Sequence, residues 1–139
     1  MSYTETKIFL DTNILAYIFD SRDIAKKTKA KELFSKLVIE NSCMISTQVL
    51  QELFNVVTKK LKYSKADAQK IITSLLNLNI HQVSTTDIQL AMNISSESQF
   101  TIYDSLIIAA AKSENCTTLY SEDLNDGQVV EGVKIVNPF

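Results

Sequence analysis

Glycine and proline are scarce in this chain: two glycines, Gly127 and Gly132, and one proline in 139 residues. So few chain breakers leave no flexible linker and no domain boundary, so a single domain over 1–139 is expected. With glycine at those two positions alone, neither a phosphate-cradling loop nor a dinucleotide fingerprint can be built. No Gly-x-Ser-x-Gly elbow occurs, which sets aside acyl transfer by a nucleophilic serine. A single histidine and two cysteines offer no zinc-binding spacing. Cys43 and Cys116 lie in apolar stretches and read as buried free thiols, and His81 reads as a partly buried strand residue. No apolar run approaches the ~20 residues of a membrane span. Residues 1–6 lack the basic start and apolar stretch of a secretory signal. A cytoplasmic location without a membrane partner is therefore expected.

Positive charge is also short. Fourteen basic residues against sixteen acidic ones give a net charge of −2. A nonspecific nucleic-acid binder is usually strongly basic, so that class is disfavoured. An enzyme acting on nucleic acid is not, because a bound metal ion supplies local positive charge. The lysines cluster at 26, 27, 29, 31 and 36 and again at 59, 60, 62 and 65. Either these are solvated helix faces or they form a backbone-binding rim around an acidic cleft.

What the chain does have is an alternation of short apolar strands with amphipathic helices. Strands are expected over 7–10, 43–46, 78–83, 118–121 and 133–136. Helices are expected over 13–19, 24–40, 48–60, 65–77, 86–98 and 101–114. On the second helix Ala30, Leu33, Phe34, Leu37 and Val38 form the apolar stripe; on the third, Val49, Leu53 and Val56 do. Ser64 with Asp67, Thr86 with Gln89 and Thr101 with Asp104 have the spacing of capping boxes. Strands alternating with helices imply an α/β fold with a mostly parallel sheet covered on both faces.

Ligands of such sheets bind at the carboxyl ends of the strands, and four carboxylates fall where those ends should meet. Asp11 follows the first strand and could equally cap the next helix. Glu52 shares the apolar face of the third helix, where an unpaired glutamate is costly to bury. Asp104 opens a very apolar helix, and a plain capping role would account for it alone. Asp123 lies two residues beyond the fourth strand, among Glu122 and Asp126; of the three it points into the cleft most naturally, with Asp126 second. Carboxylates gathered in one cleft repel one another unless protons or a divalent cation neutralise them, and a hard cation such as Mg²⁺ or Mn²⁺ suits oxygen ligands.

Four stretches, taken together and in order, resemble the PIN-domain ribonucleases: Ile8-Phe9-Leu10-Asp11-Thr12-Asn13, Thr47-Gln48-Val49-Leu50-Gln51-Glu52, Tyr103-Asp104-Ser105-Leu106-Ile107 and Leu119-Tyr120-Ser121-Glu122-Asp123-Leu124. Size and residue set are similar to the toxin subunits of bacterial VapBC toxin–antitoxin pairs. The resemblance implies a three-layer α/β/α sandwich with a five-stranded, mostly parallel sheet. It implies Mg²⁺- or Mn²⁺-dependent endonucleolytic cleavage of RNA, with Asp11, Glu52, Asp104 and Asp123 as metal-holding catalytic residues and Asn13 and Ser121 in support. It also implies a homodimer and an antitoxin partner. One departure is visible: many such toxins carry a basic residue and an asparagine where this chain has Glu122 and Asp123. Two other readings compete. One is a catalytically weak PIN scaffold that binds RNA or a protein. The other is a haloacid-dehalogenase-like phosphatase, which needs a second acid where Asn13 stands.

Overall fold

A computed structural model describes residues 6–139, so the reading of residues 1–5 lies outside the described residues. The sheet is built from β1 (Ile8–Leu10), β2 (Cys43–Ser46), β3 (Asn79–His81), β4 (Thr118–Tyr120), β5 (Val129–Val130) and β6 (Val133–Val136). The helices are α1 (Thr12–Ile18), α2 (Ile24–Ile39), α3 (Thr47–Asn55), α4 (Lys65–Leu75), α5 (Thr85–Glu97) and α6 (Ile102–Ser113). Strand order is β3-β2-β1-β4-β6-β5. All pairings are parallel except β5 with β6.

The sheet therefore has six strands where five are expected. The sixth, β5, is two residues long and pairs Val130 with Val133 across Glu131-Gly132. Both turn residues have positive φ, 53° and 78°, as the two-residue turn that matches strand twist requires. Glycine carries that conformation at no steric cost, which gives Gly132 its place.

Central strands are short and apolar because helices cover both faces. All four residues of β2 are buried, and Phe9, Leu10, Leu119 and Ile135 are fully so. Helix α6 is apolar around most of its circumference, with Ile107, Ile108, Ala109, Ala110 and Ala111 all buried. Each large aliphatic side chain so covered contributes about 1.5–3 kcal/mol. Right-handed crossovers place the helices between β1, β2 and β3 on one face and those leading to β4 on the other. The direction of winding reverses between β1 and β4, which leaves a crevice beyond their carboxyl ends.

Three helical expectations need correction. Val38 lies at 39 % exposure rather than on the buried stripe of α2, because the helix is nearing its end at Ile39. The third helix widens into one π-helical turn, Val56–Lys60, closed by Leu61 N donating to Val56 O at 3.0 Å. The wider turn carries Val57, not Val56, onto the buried face below Val49 and Leu53. The box of α5 is Ser84 with Asp87, not Thr86 with Gln89, and both of its reciprocal hydrogen bonds are present.

Asp87 is drawn into that box by a buried polar cluster. His81 places one ring nitrogen 2.6 Å from Asp87 Oδ2 and the other 2.6 Å from Glu114 Oε2, while Ser113 donates to Asp87 Oδ1 at 2.5 Å. The end of β3, the start of α5 and the end of α6 are tied together at this point. Burial pushes the His81 pKa down, but the hydrogen bonds and charges of Asp87 and Glu114 outweigh it and hold it above the ordinary value. An imidazole with a raised folded pKa lends stability that is fully present below its ordinary pKa and is lost as pH rises through the raised one. Denaturant midpoints should accordingly fall as pH rises above the ordinary imidazole value of 6.5. His81→Gln should cost about 2 kcal/mol below that value and much less well above it. Equal losses in both ranges would mean that folding leaves the imidazole pKa unshifted.

Candidate active site

The crevice beyond β1 and β4 holds a cavity of about 250 Å³ whose wall includes Asp11, Glu52, Asp104, Glu122 and Asp123. Each side chain arrives there for a local reason. Asp11 ends β1 and caps α1, its Oδ1 accepting from Thr12 N at 2.7 Å. Its other oxygen accepts from Ser121 Oγ at 2.8 Å, so the first residue after β4 holds the first residue after β1. Capping and facing the cavity are compatible here, because the two carboxylate oxygens are used separately.

Asn13 joins the two loops further. Its amide nitrogen donates to Asp123 Oδ2 at 3.0 Å and lies 3.4 Å from both Asp11 Oδ2 and Ser121 Oγ. Its amide oxygen accepts from Glu122 N at 3.2 Å. Glu52 projects from α3, half-buried, and accepts from Thr12 Oγ1 at 3.3 Å. Asp104 sits in the first turn of α6, where Thr101 is the N-cap and accepts from Asp104 N at 3.2 Å. The cap on α6 is thus a threonine hydroxyl, and the Asp104 carboxylate is left to the cavity wall. Gln48 Nε2 donates to Tyr103 O at 3.0 Å and locks α3, which carries Glu52, to α6, which carries Asp104.

The three acids after β4 separate. Glu122 is ion-paired with Lys26, whose ammonium also lies 3.3 Å from the Tyr17 hydroxyl and over the rings of Tyr17 and Phe139. Asp126 accepts from Asn137 N at 2.8 Å and is not in the cavity wall. Asp123 is exposed to the cavity: its backbone N donates to Ser121 Oγ, and among the described residues its carboxylate accepts from Asn13 alone. Sequence reasoning missed Thr12, Tyr17 and Asp20 in this wall, whereas Lys60 belongs to the lysine cluster read as one possible rim of an acidic cleft. The hydroxyl of Thr12, adjacent to Asp11, is the one among those missed with a signal in the chain.

Electrostatics follow from burial and like charge. Burial raises the Asp11 pKa to about 6, opposed by the hydrogen bonds of Ser121 and Thr12 and reinforced by the charges of Asp123 and Asp104. Burial, and then the Asp11 charge, also hold Glu52 above the ordinary range. The donor chemistry is all oxygen, which fits a hard divalent cation. Among the described residues, no three His, Cys, Asp or Glu side chains are gathered tightly enough to hold a metal ion as placed. The acids share the wall of one cavity rather than a single point.

The PIN domain family model matches residues 8–127. The chain belongs to the PIN domain family. Solved structures of similar fold include DNA-bound VapBC from Salmonella typhimurium, with TM-score 0.73, 18 % identity and coverage of 97 % of this chain and 100 % of that one. VapBC2 from Rickettsia felis, bound to a promoter DNA fragment, gives 0.70 at 23 % identity over 94 % and 97 %. VapC20 from Mycobacterium tuberculosis, a toxin that cleaves the sarcin–ricin loop, gives 0.70 at 20 % identity over 84 % and 90 %. At these identities the likeness establishes the PIN fold. No curated protein matches the chain.

A carboxyl whose folded pKa is raised favours the protonated native state. The resulting penalty grows as pH rises from the ordinary value of 3.8 to about 6, and is constant above. Asn can keep the helix cap without the charge. Asp11→Asn should therefore stabilise the metal-free PIN domain by about 1–3 kcal/mol at neutral pH and by little below about pH 4. Unfolding midpoints at the two pH values decide it; a loss of stability at neutral pH would show that Asp11 is not under charge strain.

Proposed function

We propose that this PIN domain is a divalent-cation-dependent endoribonuclease of the toxin kind. The observation that carries the reading is the meeting of Asp11, Glu52, Asp104 and Asp123, from four separate segments, on one cavity at the reversal of sheet winding. Family membership and the likeness to VapBC toxins support it.

Asp11, Glu52, Asp104 and Asp123 would hold Mg²⁺ or Mn²⁺. When bound, such a cation supplies a water of lowered pKa and neutralises charge on the phosphate. The chain's own groups supply orientation. Ser121 and Thr12 N fix the two oxygens of Asp11 by donating to them. Asn13 sets the distance between the β1 and β4 loops. Glu52, with its raised pKa and with Thr12 Oγ1 donating to one oxygen, is placed to accept a proton at the other from an attacking water. Asp126, bonded to Asn137 N, supports the loop rather than the chemistry.

A toxin role brings an antitoxin partner covering the cavity, self-association and a cytoplasmic setting. Among the described residues no helix is long and apolar enough to cross a membrane. Phe34 and Tyr63 are packed against the core, and the Tyr63 hydroxyl donates to Phe19 O at 2.8 Å, so neither offers a free apolar surface for self-association. Exposed apolar side chains instead lie at the ends of α2 (Ile24, Ile39), after α4 (Leu76), on α5 (Ile88, Met92), on α6 (Tyr103) and on β5 (Val129). A phosphatase reading fails at Asn13, and the intact acidic set argues against a silent scaffold.

Asp104→Asn separates the readings. The cap of α6 resides in Thr101, so metal-free stability should change by ~1 kcal/mol or less. Loss of the charge should lower cleavage of single-stranded RNA in Mg²⁺ or Mn²⁺ by orders of magnitude. Near-normal cleavage by the variant would place the site elsewhere.

A further inference from the structure

A second cavity, of about 330 Å³, adjoins the acidic one and shares Asp20, Lys60 and Leu61 with it. Its wall has the opposite character: Arg22, Lys60 and Lys62 beside the aromatic rings of Phe19 and Tyr63. We propose that this cavity holds a nucleotide of single-stranded RNA flanking the scissile phosphodiester, with Lys60 and Lys62 as its phosphate contacts. The assignment rests on the ribonuclease reading above.

Three observations converge on it. Lys60 is the one cation among the described residues lining the acidic cavity; it makes no hydrogen bond or close ion pair among them, and Asp20, on the same wall, feels its charge only at longer range. The π-helical turn brings it there, and turns of this kind are frequent at functional sites. Arg22 differs, since Asp20 engages it at 2.9 and 2.8 Å and takes up its charge.

Lys62 has φ of 64°, a left-handed conformation that favours glycine or asparagine. This chain does use asparagine at comparable helix ends, Asn41 after α2 and Asn115 after α6. A lysine kept in that conformation is disfavoured by the backbone, so its side chain is the feature that needs explaining.

The aromatic wall is rigid. Phe19 and Tyr63 meet edge to face, with centroids 6.4 Å apart, and the Tyr63 hydroxyl is anchored on Phe19 O. Unpaired cations beside aromatic surface are what proteins use to track single strands without reading sequence. A strand whose phosphate enters the acidic cavity must also leave it, and in a protein of net charge −2 this exit carries free positive charge. An acidic protein segment would meet the same cations but has no reason to run on into the carboxylates.

The test measures binding of a fluorescent single-stranded oligoribonucleotide of mixed sequence over a range of salt. Asp104→Asn in Mg²⁺ serves as the cleavage-silent background. Lys60→Ala and Lys62→Gly should each weaken binding about three- to tenfold and reduce the salt slope by about one. Lys60→Arg should restore binding. Lys62→Gly should hold or raise the melting temperature, since glycine relieves the left-handed backbone, whereas a structural role would lower it. Lys134→Ala, on β6, should change nothing. In the cleavage-competent chain the two losses should appear in KM, with kcat within about twofold. Unchanged affinity and salt slope in both variants overturn the proposal. So does equal affinity for a polyglutamate peptide, which would make the cavity a protein site. Failure of the unsubstituted chain to cleave any RNA would overturn the ribonuclease reading itself. Normal cleavage with indifferent lysine variants overturns only the nucleotide cavity.

Discussion

The rest of the structure depends on one contact: the buried Asp11 carboxylate between Thr12 N and Ser121 Oγ. It closes the end of β1, starts α1 and ties the β4 loop across the point where the sheet reverses its winding. Burial works against that carboxylate, and Asp123 and Asp104 add like charge. Two hydrogen bonds offset part of the cost, and the pKa still settles at about 6. A site held in this condition at neutral pH is prepared for a positive charge. The same logic extends to Glu52, whose ionisation Asp11 itself opposes. Fold stability and the proposed affinity for a cation are thus set against each other in the same side chains.

Scarcity of glycine shapes the frame that holds this site. Helix starts are secured by side chains, Asp11, Asp23, Ser46, Ser64, Ser84 and Thr101 each accepting from a backbone N–H of its helix. Left-handed helix ends fall to Asn41 and Asn115, which tolerate that region better than most residues. Both glycines serve the β4–β6 segment, Gly127 before β5 and Gly132 in the hairpin turn. Lys62 and the hairpin residue Glu131 are the two described positions of positive φ that hold neither glycine nor asparagine, and Lys62 is the one at a helix end.

Much of this was legible in the chain because it is encoded locally. Strand β1 is a continuous apolar run, β2 is apolar up to Ser46 and β6 alternates around Lys134, and acids just beyond strand ends mark the crevice without any tertiary knowledge. The misses share a different cause. Strand β5 is too short for an apolar pattern, and its one signal was Glu131-Gly132 between Val129-Val130 and Val133. The box of α5 shifts to Ser84 and Asp87 because His81 and Ser113, distant in the chain, claim the same carboxylate. The π-helical turn leaves no periodic trace of its own, so spacing alone could not choose between Val56 and Val57 for the buried face. Glu122, Asp123 and Asp126 could not be ranked securely from spacing, since Lys26, Asn13 and Asn137 sort them through contacts far along the chain.

The central claim is that these carboxylates, splayed around one cavity in the metal-free fold, form a divalent-cation site. Calorimetric titration of the purified chain with Mn²⁺ at neutral pH tests it most directly. The account predicts a saturable heat of one or two equivalents, lost on Asp11→Asn and strongly weakened on Asp104→Asn, while Asp126→Asn binds as the unsubstituted chain does. Absence of saturable binding at millimolar Mn²⁺, or equal binding by all three variants, would contradict it.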